Sequence, residues 1–261
     1  MTVRIGVIGA GGRMGTEVCR AVDGADGLTL VAAVDPHHAG RTVADTAGIA
    51  TDVELADDLD ALTAADVDVA VDFSLPTAVG ANLRWLLEHD IHAVVGATGI
   101  GEEDLIVAGE LADAGPANAL IAPNFALGAV LLMRFAAETA AHLPHVEVIE
   151  SHHDRKVDAP SGTALRTAEL IAQARREVPH APVGDDDHPG ARGATHQDVR
   201  VHSLRLPGVV ADQDVIFGGL GQTLTISHRT LDRTAFMPGV LLACRQVGDL
   251  DGLVVGLEHL L

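Results

Sequence analysis

The chain has 261 residues with 17 basic and 37 acidic side chains, a formal net charge of −20. That length buries a sizeable core as one large domain or two modest ones. So acidic a surface repels nucleic acid and anionic membrane and excludes both as partners. Abundant carboxylate, scarce lysine and many small apolar residues fit a protein of a salt-rich, halophilic host, where repulsion between carboxylates is screened within a few ångströms.

In chain order, "VRIGVIG" (3–9) is a β-branched run ending in glycine and predicts a buried strand. "GAGGRMG" (9–15) follows it directly and opens a helix carrying Met14, Val18, Ala21 and Val22 at helical spacing. Glycines at such a junction let backbone approach a diphosphate, whose charge then sits on free N–H groups at the helix N-terminus. The strict fingerprint is not met, because Met14 stands where the third glycine belongs and Gly15 follows it. Asp35 ends the second predicted strand, 28–35, about 20 residues on, where a carboxylate can accept from the ribose hydroxyls of NADH. Arg13, His37 and His38 lie near enough in sequence to serve the extra phosphate of NADPH, so both coenzymes stay open.

Further strands are predicted over 67–73, 91–99 and 119–125, with a helix over 77–90. "GATG" (96–99) and "APNF" (122–125) then fall at carboxyl ends of strands, which surround the ligand crevice of an open α/β sheet. Beyond residue 125 the order changes. A helix is expected over 130–143, an alternating strand over 145–151 and a helix over 161–177. Strands follow over 198–206, 212–219 and 221–229, with a last helix over 236–247. "DDDHPGARG" (185–193) predicts a mobile loop. The fold class is therefore α/β: a Rossmann-like nucleotide domain with a parallel sheet, and a second α+β domain with a mixed sheet.

Lys156 is the single lysine beside 16 arginines, in "ESHHDRKVDAPSGTA" (150–164). Ser161 is a natural N-cap for the helix after it, and the N–H groups near Gly162 and Thr163 face an anion or solvent. Arginine holds an anion but cannot readily release a proton; lysine does both. An imidazole, with an unperturbed pKa of about 6.5, passes protons near neutral pH. His152 and His153 point to opposite sides if the strand persists, and nothing in their spacing makes a metal site. Cys19 and Cys244 sit in apolar helical patterns and are expected to be buried thiols of a reducing compartment. With no leader sequence and no apolar run of about 20 residues, a cytoplasmic location is expected.

The ordered motifs "GAGGRMG", "VDFSLP", "GATG", "APNF", "IESHHDRKVDAPSGTA", "HSLRLPG" and "ISHR" resemble those of the dihydrodipicolinate reductases of lysine and diaminopimelate biosynthesis. The resemblance spans nearly the whole chain and is most specific around Lys156. It implies reduction of a cyclic imine dicarboxylate by NADH or NADPH without a metal. It also implies a nucleotide domain of residues 1–124 and 233–261, and a substrate and homotetramer-forming domain of 125–232. By position it makes His152 the general acid/base, Lys156 a proton donor, and His153, Gly162 and Thr163 substrate contacts. The coenzyme is expected against Gly9, Ala10, Gly11, Gly12, Arg13, Met14 and Asp35. Gly96, Ala97, Thr98, Ala122, Pro123, Asn124 and Phe125 complete its expected contacts. Many relatives carry threonine where Ala97 stands, so one hydroxyl near the nicotinamide is missing here.

Three other readings compete. A nicotinamide dehydrogenase of aspartate fits the glycine loop equally well. An acylating semialdehyde dehydrogenase needs a reactive cysteine, and neither cysteine is placed for it. A non-catalytic dinucleotide sensor would have no use for the cluster around Lys156.

Overall fold

A computed structural model describes residues 2–180, 184 and 187–261. They form two compact units. One comprises the residues up to Ala126 together with Phe236–Leu261, the other Leu127–Ala235. In chain order the elements begin β1 (Val3–Ile8), α1 (Arg13–Asp23), β2 (Leu28–Val34), α2 (Val43–Ala47), β3 (Leu55–Ala56), α3 (Asp60–Ala64) and β4 (Val69–Asp72). They continue α4 (Val79–Glu88), β5 (His92–Val95), α5 (Glu102–Ala114), β6 (Ala119–Ile121), α6 (Leu127–Ala140), β7 (His145–His152) and α7 (Gly162–Ala174). The rest are β8 (Ala194–His196), β9 (Val199–Arg205), β10 (Ala211–Gly219), β11 (Gln222–Thr230), α8 (Met237–Gln246) and β12 (Leu253–Val255).

The first unit is built on a seven-stranded sheet in the order β12-β6-β5-β4-β1-β2-β3, every pair parallel. Continuous apolar runs suit strands covered on both faces. Ile5, Val7, Val71, Val94 and Leu120 are all essentially inaccessible to water. The order reverses between β1 and β4, so the crevice at their carboxyl ends is the topological switch point where such sheets take ligands. The C-terminal segment joins this sheet through Asn118. Its amide nitrogen donates to the carbonyls of Val247, Gly248 and Leu250, and its Oδ1 accepts from Gly252 N.

The second unit holds a five-stranded mixed sheet, β11-β10-β7-β9-β8, in which only β7 and β9 run parallel. Helices α6 and α7 pack against it. The period-2 alternation of β7 sends Val148 and Glu150 to the same buried side, alongside Val215, Phe217 and Gln213 of β10. A carboxylate therefore occupies a core position in this sheet.

The structure adds elements the periodicity did not reveal. Helix α5 buries only Ala108 and Ala112, so it lacks the apolar stripe that marks a helix in sequence. Strands β3, β8 and β12 have two or three residues each, too few to show an alternation. Of the loop expected over 185–193, Asp185 and Asp186 lie outside the described residues, and 187–192 are bends and turns.

Candidate active site

Within the first unit, the chain leaves β1 through Gly9, whose φ of +75° favours glycine. A Cβ at Gly15 would lie 2.1 Å from the Gly9 carbonyl oxygen, so helix α1 can lean on the loop only because residue 15 is glycine. Gly15 thus supplies the close approach that the strict fingerprint assigns one residue earlier, and the working pattern is Gly9, Gly12, Gly15. Gly12 is the N-cap of α1 and no side chain caps it, which leaves first-turn N–H groups available to an anion.

Asp35 follows β2 and is buried. Its Oδ2 accepts from Gly11 N at 2.9 Å and its Oδ1 from His37 N at 3.1 Å. His38 Nδ1 lies 3.1 Å from Oδ1 but outside hydrogen-bond alignment. Asp35 therefore shapes the glycine loop as well as facing a cavity of about 450 Å³ lined by Gly9, Gly12, Asp35, His37, His38, Asp57, Asp58 and Phe73. Ala10 is buried in the turn, Arg13 is exposed and Met14 is half-buried.

Gly96, Ala97 and Thr98 leave β5, and the N–H groups of the first two donate to the Asp72 carbonyl. Ala122, Pro123, Asn124 and Phe125 leave β6, where Asn124 Oδ1 accepts from Ala126 N at 2.9 Å. The ring of Phe125 meets that of Phe73 at 5.9 Å between centroids. All fourteen expected coenzyme residues thus belong to this unit, at the carboxyl ends of its strands, in the turn after β1 or in the first turn of α1. Asp72, which sequence reasoning left unassigned, is fully buried at the end of β4. Burial pushes its pKa up against the bonds it accepts from Ser74 and Asn82. The run "VAVD" by itself gives no sign that its terminal carboxylate is buried and anchors the next turn. The glycine cradle, the uncapped helix and the adjoining cavity together fit a dinucleotide.

Within the second unit, β7 ends on His152, so the alternation that would oppose His152 and His153 stops between them. His152 Nδ1 lies 2.5 Å from Glu150 Oε2. His153 Nδ1 is enclosed and has no hydrogen-bond partner among the described residues. A turn closed by Lys156 N donating to the His153 carbonyl presents Lys156, whose Nζ pairs with Asp158 Oδ2 at 2.8 Å. Ser161 caps α7 by accepting from Ala164 N at 3.3 Å. A Cβ built at Gly162 meets nothing within 4 Å, so the helix N-terminus opens on free space. His152, His153, Lys156, Gly162 and Thr163 accordingly lie on one strand end, one turn and one helix start. The arrangement offers an imidazole, an ammonium and a helix N-terminus to an anion, with groups able to move a proton.

Glu150 is fully buried. Burial alone would raise its pKa; hydrogen bonds from His152, Arg205 and Ser203 outweigh it and hold the carboxyl at about 2. Arg205 approaches both its oxygens at 2.9 Å. Neither residue carries an expected role in its motif; the two-residue spacing of Glu150 and His152 on a strand is the signal that the sequence offers. Cys19 and Cys244 are buried free thiols whose pKa burial pushes up to about 12, which leaves no reactive thiolate.

Comparison with known proteins agrees with this geometry. The family model described as dihydrodipicolinate reductase, N-terminus, matches residues 3–125, and that described as dihydrodipicolinate reductase, C-terminus, matches 128–261. The 4-hydroxy-tetrahydrodipicolinate reductase of Moorella thermoacetica is 48% identical, covering 100% of this chain and 98% of the relative. That of Nocardia farcinica is 49% identical over 100% of this chain and 99% of the relative. A dipicolinate-bound dihydrodipicolinate reductase from Paenisporosarcina sp. TG-14 superposes with a TM-score of 0.87 at 37% identity, covering 100% of both chains. Matched from end to end in sequence and in fold, this chain belongs to the dihydrodipicolinate reductase family.

Proposed function

We propose that this protein reduces 4-hydroxy-tetrahydrodipicolinate to tetrahydrodipicolinate with a reduced nicotinamide coenzyme, in lysine biosynthesis through diaminopimelate. The observation that carries the reading is the cluster at the start of α7: His152, Lys156 and an open, Ser161-capped helix N-terminus together suit a small dicarboxylate. Gly9 to Met14 would hold the coenzyme diphosphate, Asp35 its ribose, and the residues after β5 and β6 the nicotinamide. Bound there, the coenzyme supplies a hydride.

The substrate carboxylates rest on His153, Gly162 and Thr163. Loss of the 4-hydroxyl as water from the bound substrate leaves a conjugated cyclic imine; hydride delivered to its ring carbon would push electron density toward the ring nitrogen, and the resulting enamine must take a proton on carbon. Lys156 and His152 stabilise the developing negative charge, and Lys156 donates the proton. A positioned acid of this kind contributes about 10²–10⁴-fold in rate.

NADH is the proposed coenzyme. Asp35, Asp57 and Asp58 line the cavity, and an added 2′-phosphate would face all three carboxylates. Asp35→Ala then weakens NADH more than NADPH, read from dissociation constants by coenzyme fluorescence; equal losses would remove Asp35 from ribose recognition. No metal is assigned a role. A homotetramer is the proposed assembly, supported by β11 being an edge strand with Leu224 exposed, and light scattering reads the mass. The buried free thiols support a cytoplasmic location. The test of the whole reading is oxidation of NADH and NADPH by the condensation product of pyruvate and aspartate semialdehyde. Aspartate with NAD+ or NADP+ serves as the control; reduction of the oxidised coenzyme by aspartate, with no reaction of the condensation product, would transfer the chain to the dehydrogenase reading.

A further inference from the structure

Among polar groups of the second unit, Glu150 is set apart by carrying a charge in a fully buried strand position. Removing a carboxylate from water costs several kcal/mol, so such a group persists only where its hydrogen-bonding capacity is met. It is met here from several sides. Oε2 takes His152 Nδ1 at 2.5 Å and Arg205 Nη1 at 2.9 Å; Oε1 takes Arg205 Nη2 at 2.9 Å and Ser161 N at 3.2 Å. Ser203, directly opposite on β9, adds a side-chain bond. Arg205 does more than neutralise it. Its Nε donates to the Lys156 carbonyl at 3.3 Å and its Nη2 to the Asp158 carbonyl.

We infer that Glu150 and Arg205 are a positioning pair: Glu150 keeps the His152 ring protonated on Nδ1 with Nε2 turned outward, and Arg205 locks the turn that carries Lys156. The inference rests on the functional reading above for what His152 and Lys156 do, but not for how they are held. Neither Glu150 nor Arg205 needs to touch substrate. The carboxylate has no donor of its own, so the ring nitrogen facing it must carry the hydrogen. The same carboxylate accepts from Ser161 N at the N-cap of α7, so one buried group sets His152 relative to the helix start.

Glu150→Gln tests this because it keeps volume and replaces one acceptor oxygen by a donor. Oε1 takes two fixed donors, Ser161 N and Arg205 Nη2, whereas Oε2 takes one, Arg205 Nη1, beside the His152 ring, which alone can turn from donor to acceptor; the amide oxygen therefore stays on the Oε1 side and the amide nitrogen faces His152. The imidazole must then present a bare Nδ1, and the proton moves to Nε2. Two-bond ¹⁵N–¹H correlation spectra of the whole protein read this directly. We expect the His152 proton on Nδ1 in the parent and on Nε2 in Glu150→Gln; a bare Nδ1 in the parent, or no change in the variant, overturns the inference. Should Glu150→Gln fail to fold, the parent spectrum still decides.

Kinetics gives a second arm. Glu150→Gln lowers kcat about 10²-fold, with KM for the dicarboxylate changing less than about 3-fold. In a His152→Ala background the same change costs less than about 2-fold, because a residue acting through His152 has nothing left to position. Arg205→Lys, a point charge that cannot span these acceptors, behaves likewise against Lys156→Ala. Additive losses in these cycles, with thermal midpoints falling in step, would mean a merely structural pair and overturn the inference. Full activity in His152→Ala and Lys156→Ala would instead sink the functional reading, and the tautomer spectra would still judge Glu150.

Discussion

At the scale of single residues, Lys156 carries the sharpest consequence. It is held by Asp158 at 2.8 Å and by a turn tied to Arg205, so its ammonium is placed rather than free. Lys156→Ala should lower kcat about 10²–10⁴-fold while leaving NADH affinity within experimental error, because the residues proposed to hold the coenzyme belong to the other unit. Steady-state kinetics and coenzyme titration check the two halves; unchanged turnover would remove Lys156 from the proposed mechanism. Glu150 makes a prediction in pH. Its folded-state pKa of about 2 lies below the unfolded value of 4.5, so its contribution to stability is complete above about 4.5 and is lost as pH falls toward 2. The shift is on the order of 3 kcal/mol. Denaturant midpoints should therefore fall across that window in the parent, and the fall should be shallower in Glu150→Gln.

At the scale of elements, the contact of α1 with the turn after β1 decides whether a coenzyme cradle exists. A methyl group at residue 15 would lie 2.1 Å from the Gly9 carbonyl oxygen and 2.7 Å from Ala10 Cα, both backbone atoms that cannot swing aside. Gly15→Ala should push the helix start outward, destabilise the protein by about 1–3 kcal/mol and weaken both coenzymes together. Thermal unfolding and coenzyme titration read these; a variant that binds normally would show the approach to be unimportant. Helix α7 illustrates the opposite case. Ser161 as its cap, the apolar positions Ala168 and Ile171, and the open Gly162 are local features legible from residue order alone; Leu165, expected in the same stripe, is only half-buried, and Ala164 takes the buried place. Helix α5 was not, because its buried positions are two alanines with no stripe to betray them.

At the scale of the whole molecule, a net charge of −20 on 261 residues is the dominant electrostatic fact. Self-repulsion at that charge opposes the compact state at low ionic strength and is screened as salt rises. We expect activity and thermal midpoint to rise from low salt into molar KCl; a maximum at low salt with loss in molar KCl would contradict adaptation to a salt-rich host. The chain's residue order determined the class of fold, the strand–glycine–helix junction, the cap of α7 and the singular position of Lys156. Each of these is set by neighbours a few residues apart, through periodicity, capping and backbone sterics. Tertiary structure alone decided that Gly15 completes the cradle, that Asp35 bonds to the loop it faces, that Asn118 recruits the C-terminal strand, and that Glu150 and Arg205, 55 positions apart, close on His152 and the Lys156 turn. Those contacts join segments remote along the chain, and a buried charge reveals its partners only once strand pairing has brought them within hydrogen-bonding distance.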